Sequence, residues 1–144
     1  MAKTASHTPT YEQALQRATA LCSASEHCIS DMSEKLYRWG LTKQDSEKVI
    51  DYLLDEKYID ERRYALAYTN DKIRFSHWGR VKIRAMLRMQ RISDSEINEA
   101  LDNIDEQQYL EILEGVIDAK RRSIGDDASY ADQYGKDRIA YAHL

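Results

Sequence analysis

The chain has 144 residues, a formal charge of −4, one proline and five glycines. That length holds one domain or a few small repeated units sharing a core, and so few turn formers exclude a sheet-rich fold with many tight turns. Leu, Ala, Glu, Lys, Arg and Gln are plentiful and lose little freedom in a helix, and no run alternates with period 2, so the expected fold class is all-α. Nothing reads as a membrane span or a secretory signal.

The first nine residues, MAKTASHTP, are small and polar and are read as a loose tail, 1–9. A helix is expected from about Tyr11 to Cys22. Cys22 and Cys28 are six apart, which is neither a zinc pair nor a redox CxxC. His27 sits beside Cys28, but no third and fourth ligand cluster nearby. Both cysteines are therefore read as ordinary reduced residues acting as small apolar groups, with no metal and a cytoplasmic location.

A repeat runs through the helical pattern. LTKQDSEKVIDYLLDEKYID begins at Leu41 and ISDSEINEALDNID at Ile92, fifty-one positions later. In both, an apolar residue precedes a hydroxyl, and an acid follows three residues on: Thr42 with Asp45, Ser93 with Glu96. These pairs predict capped helix starts, with the hydroxyl accepting from a backbone N–H and the carboxylate reaching back. Beyond the caps Val49, Ile50 and Leu53 align with Ala100, Leu101 and Ile104, on one helical face. Before them Met32 and Leu36 align with Ile83 and Leu87, and tight turns fall at Gly40-Leu41 and Arg91-Ile92. A longer helix precedes each pair, the second running from Asp60 as N-cap to about Phe75. A third copy starts at DEQQYLEILEGVIDAKRR, where Tyr109 corresponds to Tyr64. Its second helix would be YADQYGKDRIAYAHL, where the chain stops. The expected architecture is tandem three-helix units, 10–59, 60–104 and a partial, truncated 105–144, which need one another to cover their apolar faces.

Charge is sorted along the chain. From Lys72 to Arg91 there are seven basic residues and no acid; from Ile92 to Ala119 there are nine acids and no base. Arg80, Arg84, Arg88 and Arg91 are spaced four, four and three, which predicts one narrow stripe on a helix beside the core-facing Ile83, Met86 and Leu87. Neighbouring guanidiniums repel by a few tenths of a kcal/mol per pair, so the stripe is read as meeting an external anion or acidic surface. The alternative is internal: the acidic run folds back and neutralises the stripe through surface pairs worth about 0–1 kcal/mol each. Phe75 and Trp78 fall at a helix junction and are read as packing plugs, with base stacking as the alternative. Tyr64 and Tyr68 are read as core-edge residues.

Catalytic patterns are missing. There is no HExxH, GxGxxG or GxxxxGK[ST], and Gly135-Lys136 is followed by Asp137. Asp55/Glu56 and Asp60/Glu61 are adjacent pairs, which diverge by about 100° on a helix and do not converge on one atom. His77 has no carboxylate placed to orient it. The chain is expected to bind, not to catalyse, and to need no cofactor.

YIDERRYALAYTNDKI, at 58–73, resembles the signature of the RecX family, bacterial regulators of the RecA recombinase, through Tyr58, Ile59, Asp60, Glu61, Arg63, Tyr64 and Ala65. Gly79, Ile83, Leu87 and Ile92 match the family's following helix and turn, and Gly40-Leu41 resembles the turn of its first unit. The likeness covers about residues 10–123. It implies a tandem array of three-helix units lying along the groove of the RecA filament, spanning protomers and restraining ATP hydrolysis, strand exchange and co-protease activity. Recombinational repair and the SOS response would be regulated in this way. The departure is at the C-terminus, where the family's third unit continues past its second helix and this chain ends at Leu144.

Two readings follow. In the first, the chain is a monomeric filament-binding regulator whose contact face is Lys72, Arg74, Arg80, Lys82, Arg84, Arg88 and Arg91. In the second, the same face makes it a sequence-independent DNA-binding module, although the negative total charge speaks mildly against binding that depends on phosphate neutralisation.

Overall fold

A computed structural model describes residues 8–124. Among these the chain forms seven α-helices and no strand: α1 (Tyr11–Ala24), α2 (Ile29–Arg38), α3 (Lys43–Asp55), α4 (Glu61–Arg74), α5 (Arg80–Met89), α6 (Asp94–Asp102) and α7 (Glu106–Ile124). The chain is all-α, as the composition predicts. The helix expected over 130–144 lies outside the described residues.

Local chemistry sets the helix starts. Thr10 opens α1 with a reciprocal capping box: its hydroxyl accepts from the Gln13 N–H, and the Gln13 side chain accepts from the Thr10 N–H. Thr42 accepts from Asp45 N–H at 3.1 Å and Ser93 from Glu96 N–H at 3.2 Å, as the repeat predicts. The reach back differs. Glu96 takes its hydrogen bond from the Ser93 hydroxyl, at 2.8 Å. Asp60 caps α4 through a 3.0 Å bond from Arg63 N–H.

The fifty-one-residue offset is exact in the helix starts: α2 and α5 begin at Ile29 and Arg80, α3 and α6 at Lys43 and Asp94. It reaches the turns too. Gly40 and Arg91 both take left-handed backbone, with φ of 91° and 62°. A Cβ at Gly40 would come within 2.8 Å of the Thr8 hydroxyl oxygen. Left-handed backbone alone costs an L-residue about 1–2 kcal/mol. Gly40→Ala is therefore expected to lower Tm by several degrees in a thermal melt.

The described residues form two compact units, one of 8–64 together with Gln90–Ile92, the other of Ala65–Met89 and 93–124. The first packs α1 and α2 on α3. Its core is Ala14, Ala18, Met32, Leu36, Leu41, Val49, Leu53 and Ile59. In the second, α5 packs on α6, and Ile83, Leu87, Ile97, Ala100 and Leu101 are buried. The heptad-like spacing of these apolar residues is what turns one face of each helix inward. Tyr64 and Tyr109, forty-five positions apart, are both buried.

The cysteines are free thiols: Cys22 is half-buried on α1 and Cys28 is buried just before α2. Burial pushes the Cys28 thiol up to about 11. A raised thiol pKa keeps the folded group neutral at pH 8. Alkylation of Cys28 by iodoacetamide there is expected to be at least about a hundredfold slower than for an unperturbed thiol. The sign for stability is the same: its contribution is complete below the unfolded thiol's pKa of about 8.5 and is lost as pH climbs towards 11.

Candidate partner-binding face

The end of α4, the start of α5 and the turn between them carry most of the predicted cations. Lys72 and Arg74 stand in the last turn of α4, where positive charge complements the exposed carbonyls. The chain then reverses, with Trp78 N–H donating to the Lys72 carbonyl at 2.9 Å and His77 in left-handed backbone at φ 57°. This reversal sets the indole between two ammonium groups. Lys72 Nζ lies 4.7 Å from the Trp78 ring centre and Lys82 Nζ 4.3 Å. Tyr68 meets the indole edge-on at 6.3 Å, and Lys72 also lies 5.3 Å from the Tyr68 ring. Arg74 sits 5.6 Å from the ring of Phe75. Each cation–ring contact is worth about 0.5–1 kcal/mol at an exposed site, enough to hold long side chains in place without removing their charge.

Phe75 overturns one expectation. It is 74% exposed and plugs nothing. Trp78 does pack: with Tyr109, Ile112, Leu113 and Val116 it lines a narrow cleft. Along α5, with Ile83 and Leu87 facing inward, the outward side shows Val81, 60% exposed, Ala85, and Met89, 73% exposed. Those residues were missed, although their i, i+4, i+8 spacing opposite the core was a readable signal. The first turn of α5 has no acidic residue and begins with Arg80, against the sign that a helix N-terminus favours.

The arginine stripe is not free. Arg80 pairs with Glu106 and lies 4.4 Å from the Tyr109 ring centre. Arg84 donates to the Asn98 side-chain oxygen at 2.7 Å, and Arg88 pairs with Asp94 at 3.2 Å. The acidic run does fold back on Arg80 and Arg88, so the internal alternative describes these two. Nor does the stripe run on to Arg91: α5 ends at Met89, and the turn that Gly40 makes in the first unit puts Arg91 in left-handed backbone. Arg91 clusters with the first unit. The predicted set thus divides into Lys72, Arg74 and Lys82, held on aromatic rings, and Arg80, Arg84 and Arg88, held on acceptors. Pairs as exposed as Arg88–Asp94 contribute about 0–1 kcal/mol and leave room for a competing anion.

The acidic and basic residues at 60–63 do structural work. Glu61 accepts from the Ile29 N–H at 2.8 Å. Arg63 donates to Glu26 at 2.5 Å and to the carbonyls of Lys57 and Tyr58 at 3.0 and 3.3 Å. The hydrogen bond to Glu26 is the main reason the Arg63 guanidinium holds its proton even more firmly than usual. A lysine has no planar fork with which to serve three acceptors. Arg63→Lys is expected to cost about 1–2 kcal/mol in urea unfolding. Among the described residues no group of three or more His, Cys, Asp or Glu could hold a metal ion, and no helix is long and apolar enough to cross a membrane.

Residues 60–101 match the family described as RecX, second three-helix domain. A regulatory protein RecX from Vibrio parahaemolyticus is 28% identical over 137 residues, covering 88% of this chain and 87% of its own length. Another from Clostridium tetani is 32% identical over 91 residues, covering 63% of this chain and 41% of its own. Among solved structures, a crystal structure of regulatory protein RecX aligns with a TM-score of 0.77 at 20% identity, over 93% of this chain and 68% of that one. RecX from Lactobacillus salivarius aligns at 0.74 and 17% identity, over 91% and 86%. At those identities the solved structures speak for the fold alone. The helices, the residues at 58–65 and these likenesses make the chain similar to the RecX regulatory proteins, with residues 60–101 matching their second three-helix domain.

Proposed function

We propose that the chain binds the RecA filament and restrains its ATP hydrolysis, strand exchange and co-protease activity, and so regulates recombinational repair and the SOS response. In this reading it is a monomeric, cytoplasmic, non-catalytic protein built of three-helix units 10–59 and 60–104 with a further unit from 105. Its grip is centred on Lys72, Arg74 and Lys82, with Arg80, Arg84 and Arg88 flanking them and Arg91 contributing from the turn. The observation that carries the proposal is the cluster at the α4–α5 turn. Three cations are held on Tyr68, Phe75 and Trp78, next to an exposed apolar line on α5, in a run of twenty residues without a carboxylate. Such a face meets an acidic protein surface with charge on its flanks and apolar contact in its middle.

The test is ATP turnover by RecA assembled on single-stranded DNA. Stoichiometric addition of the chain is expected to lower it; unchanged turnover would overturn the proposal. The exposed Phe75 beside lysines also favours a second reading, direct binding of single-stranded DNA. Three or four phosphate contacts predict a log–log salt slope of roughly −2 to −3 on single strands. A flat response without RecA removes that reading.

A further inference from the structure

The offset of fifty-one residues pairs α2 and α3 with α5 and α6 position by position, and one difference stands out. In the later pair, Arg84 and Arg88 reach from α5 to Asn98 and Asp94 on α6. Their counterparts on α2 are Ser33 and Tyr37; those of Asn98 and Asp94 on α3 are Glu47 and Lys43. The Ser33 hydroxymethyl is too short to span what a guanidinium on a three-carbon stem spans. Where the later pair is bridged, the earlier pair keeps an open groove of about 630 Å³. Ile29, Tyr37, Leu41 and Ile50 give it an apolar floor and wall, Glu47 and Asp51 stand on its α3 side, and Lys43, at the start of α3, is the one cation that lines it. Among the described residues neither carboxylate has an ion pair, and Tyr37 is 79% exposed. An exposed tyrosine beside an apolar slot is the kind of residue on which binding energy concentrates.

We infer that this groove takes a basic side chain, an arginine on the pattern of Arg84, from an apolar segment of the partner protein. Its guanidinium sits on Glu47 and Asp51, and its stem lies along Ile50 and the ring of Tyr37. The contact is complementary in sign to the cationic α4–α5 face, so the chain offers its partner both an acidic slot and a basic face. The inference rests on the filament-binding reading.

Ser33→Arg tests it by supplying the absent guanidinium from within. Position 33 is exposed on α2, and arginine favours helix more than serine does, so the fold is retained and Tm holds or rises. Binding to RecA on single-stranded DNA is measured for the wild type, Ser33→Arg and Glu47→Gln. Affinity is expected to fall roughly tenfold for Ser33→Arg and several-fold for Glu47→Gln, since a charged acceptor is lost. Wild-type binding with both variants equal to it would overturn the groove and leave the regulator reading standing. No binding by the wild type would overturn both. A concentration-dependent dimer that Ser33→Arg abolishes would assign the groove to a second copy of the chain and equally overturn the inference.

Discussion

Leu87→Ala is expected to cost about 2–5 kcal/mol, read as a lower urea midpoint with an unchanged slope. Leu87 is wholly buried where α5 packs on α6, and the side chain cannot be shortened without leaving a cavity. Against a total of about 5–15 kcal/mol for a folded domain, that is a large share. Its counterpart Leu36, equally buried in the first unit, is expected to cost a similar amount. The pair also tests the repeat. Hydrogen exchange should show Leu87→Ala exposing amides of α5 and α6, and Leu36→Ala those of α2 and α3. The fold of α5 is what aims Lys82 at Trp78, so Leu87→Ala should weaken partner binding as well.

The second large effect is electrostatic. Replacing Lys72, Arg74 and Lys82 together by glutamate turns three positive charges into three negative ones. Affinity for the filament is expected to fall at least about a hundredfold, more steeply at low salt because exposed charges are screened beyond about 10 Å at 0.1 M. Glutamate at 72 and 74 also opposes the α4 dipole by about 0.3–1 kcal/mol each. The glutamine triple variant separates the two causes: it removes the charge without that penalty and should still lose most of the binding. Arg84→Glu with Arg88→Glu is expected to do less. Asn98 and Asp94 already hold those guanidiniums, so less of their charge is available to a partner.

The helical frame was legible because it rests on local signals. Met32 and Leu36 matched to Ile83 and Leu87, and Thr42 and Ser93 as caps, need only periodicity and the hydrogen-bonding habit of a hydroxyl. The start of α4 at Asp60 was legible for the same reason. The site was less so, because it depends on what lies across a gap. The positions of Arg80 and Arg88 are written in the chain, but that Glu106 and Asp94 meet them is a property of packing. Arg91 was misread because helical spacing was carried past Met89 into a turn, though its alignment with Gly40 pointed to left-handed backbone. Phe75 looked like a plug because an aromatic residue at a junction usually is one; its exposure comes from the reversal that packs the half-buried Trp78 instead. The groove between α2 and α3 was present in the alignment from the start, as Ser33 and Tyr37 standing where Arg84 and Arg88 would be. It becomes visible only once those arginines are seen to fill something.

The most direct measurement replaces Phe75 with photoreactive benzoylphenylalanine and irradiates the full chain on a RecA filament, with the same probe at Tyr52 as reference. Phe75 is exposed within the cationic cluster, whereas Tyr52 stacks on Tyr58 in the first unit. A covalent adduct to RecA from position 75, lost when Lys72, Arg74 and Lys82 are glutamine, is the predicted result. Adducts from position 52 with none from 75, under conditions where the chain binds the filament, would contradict the assignment of this face.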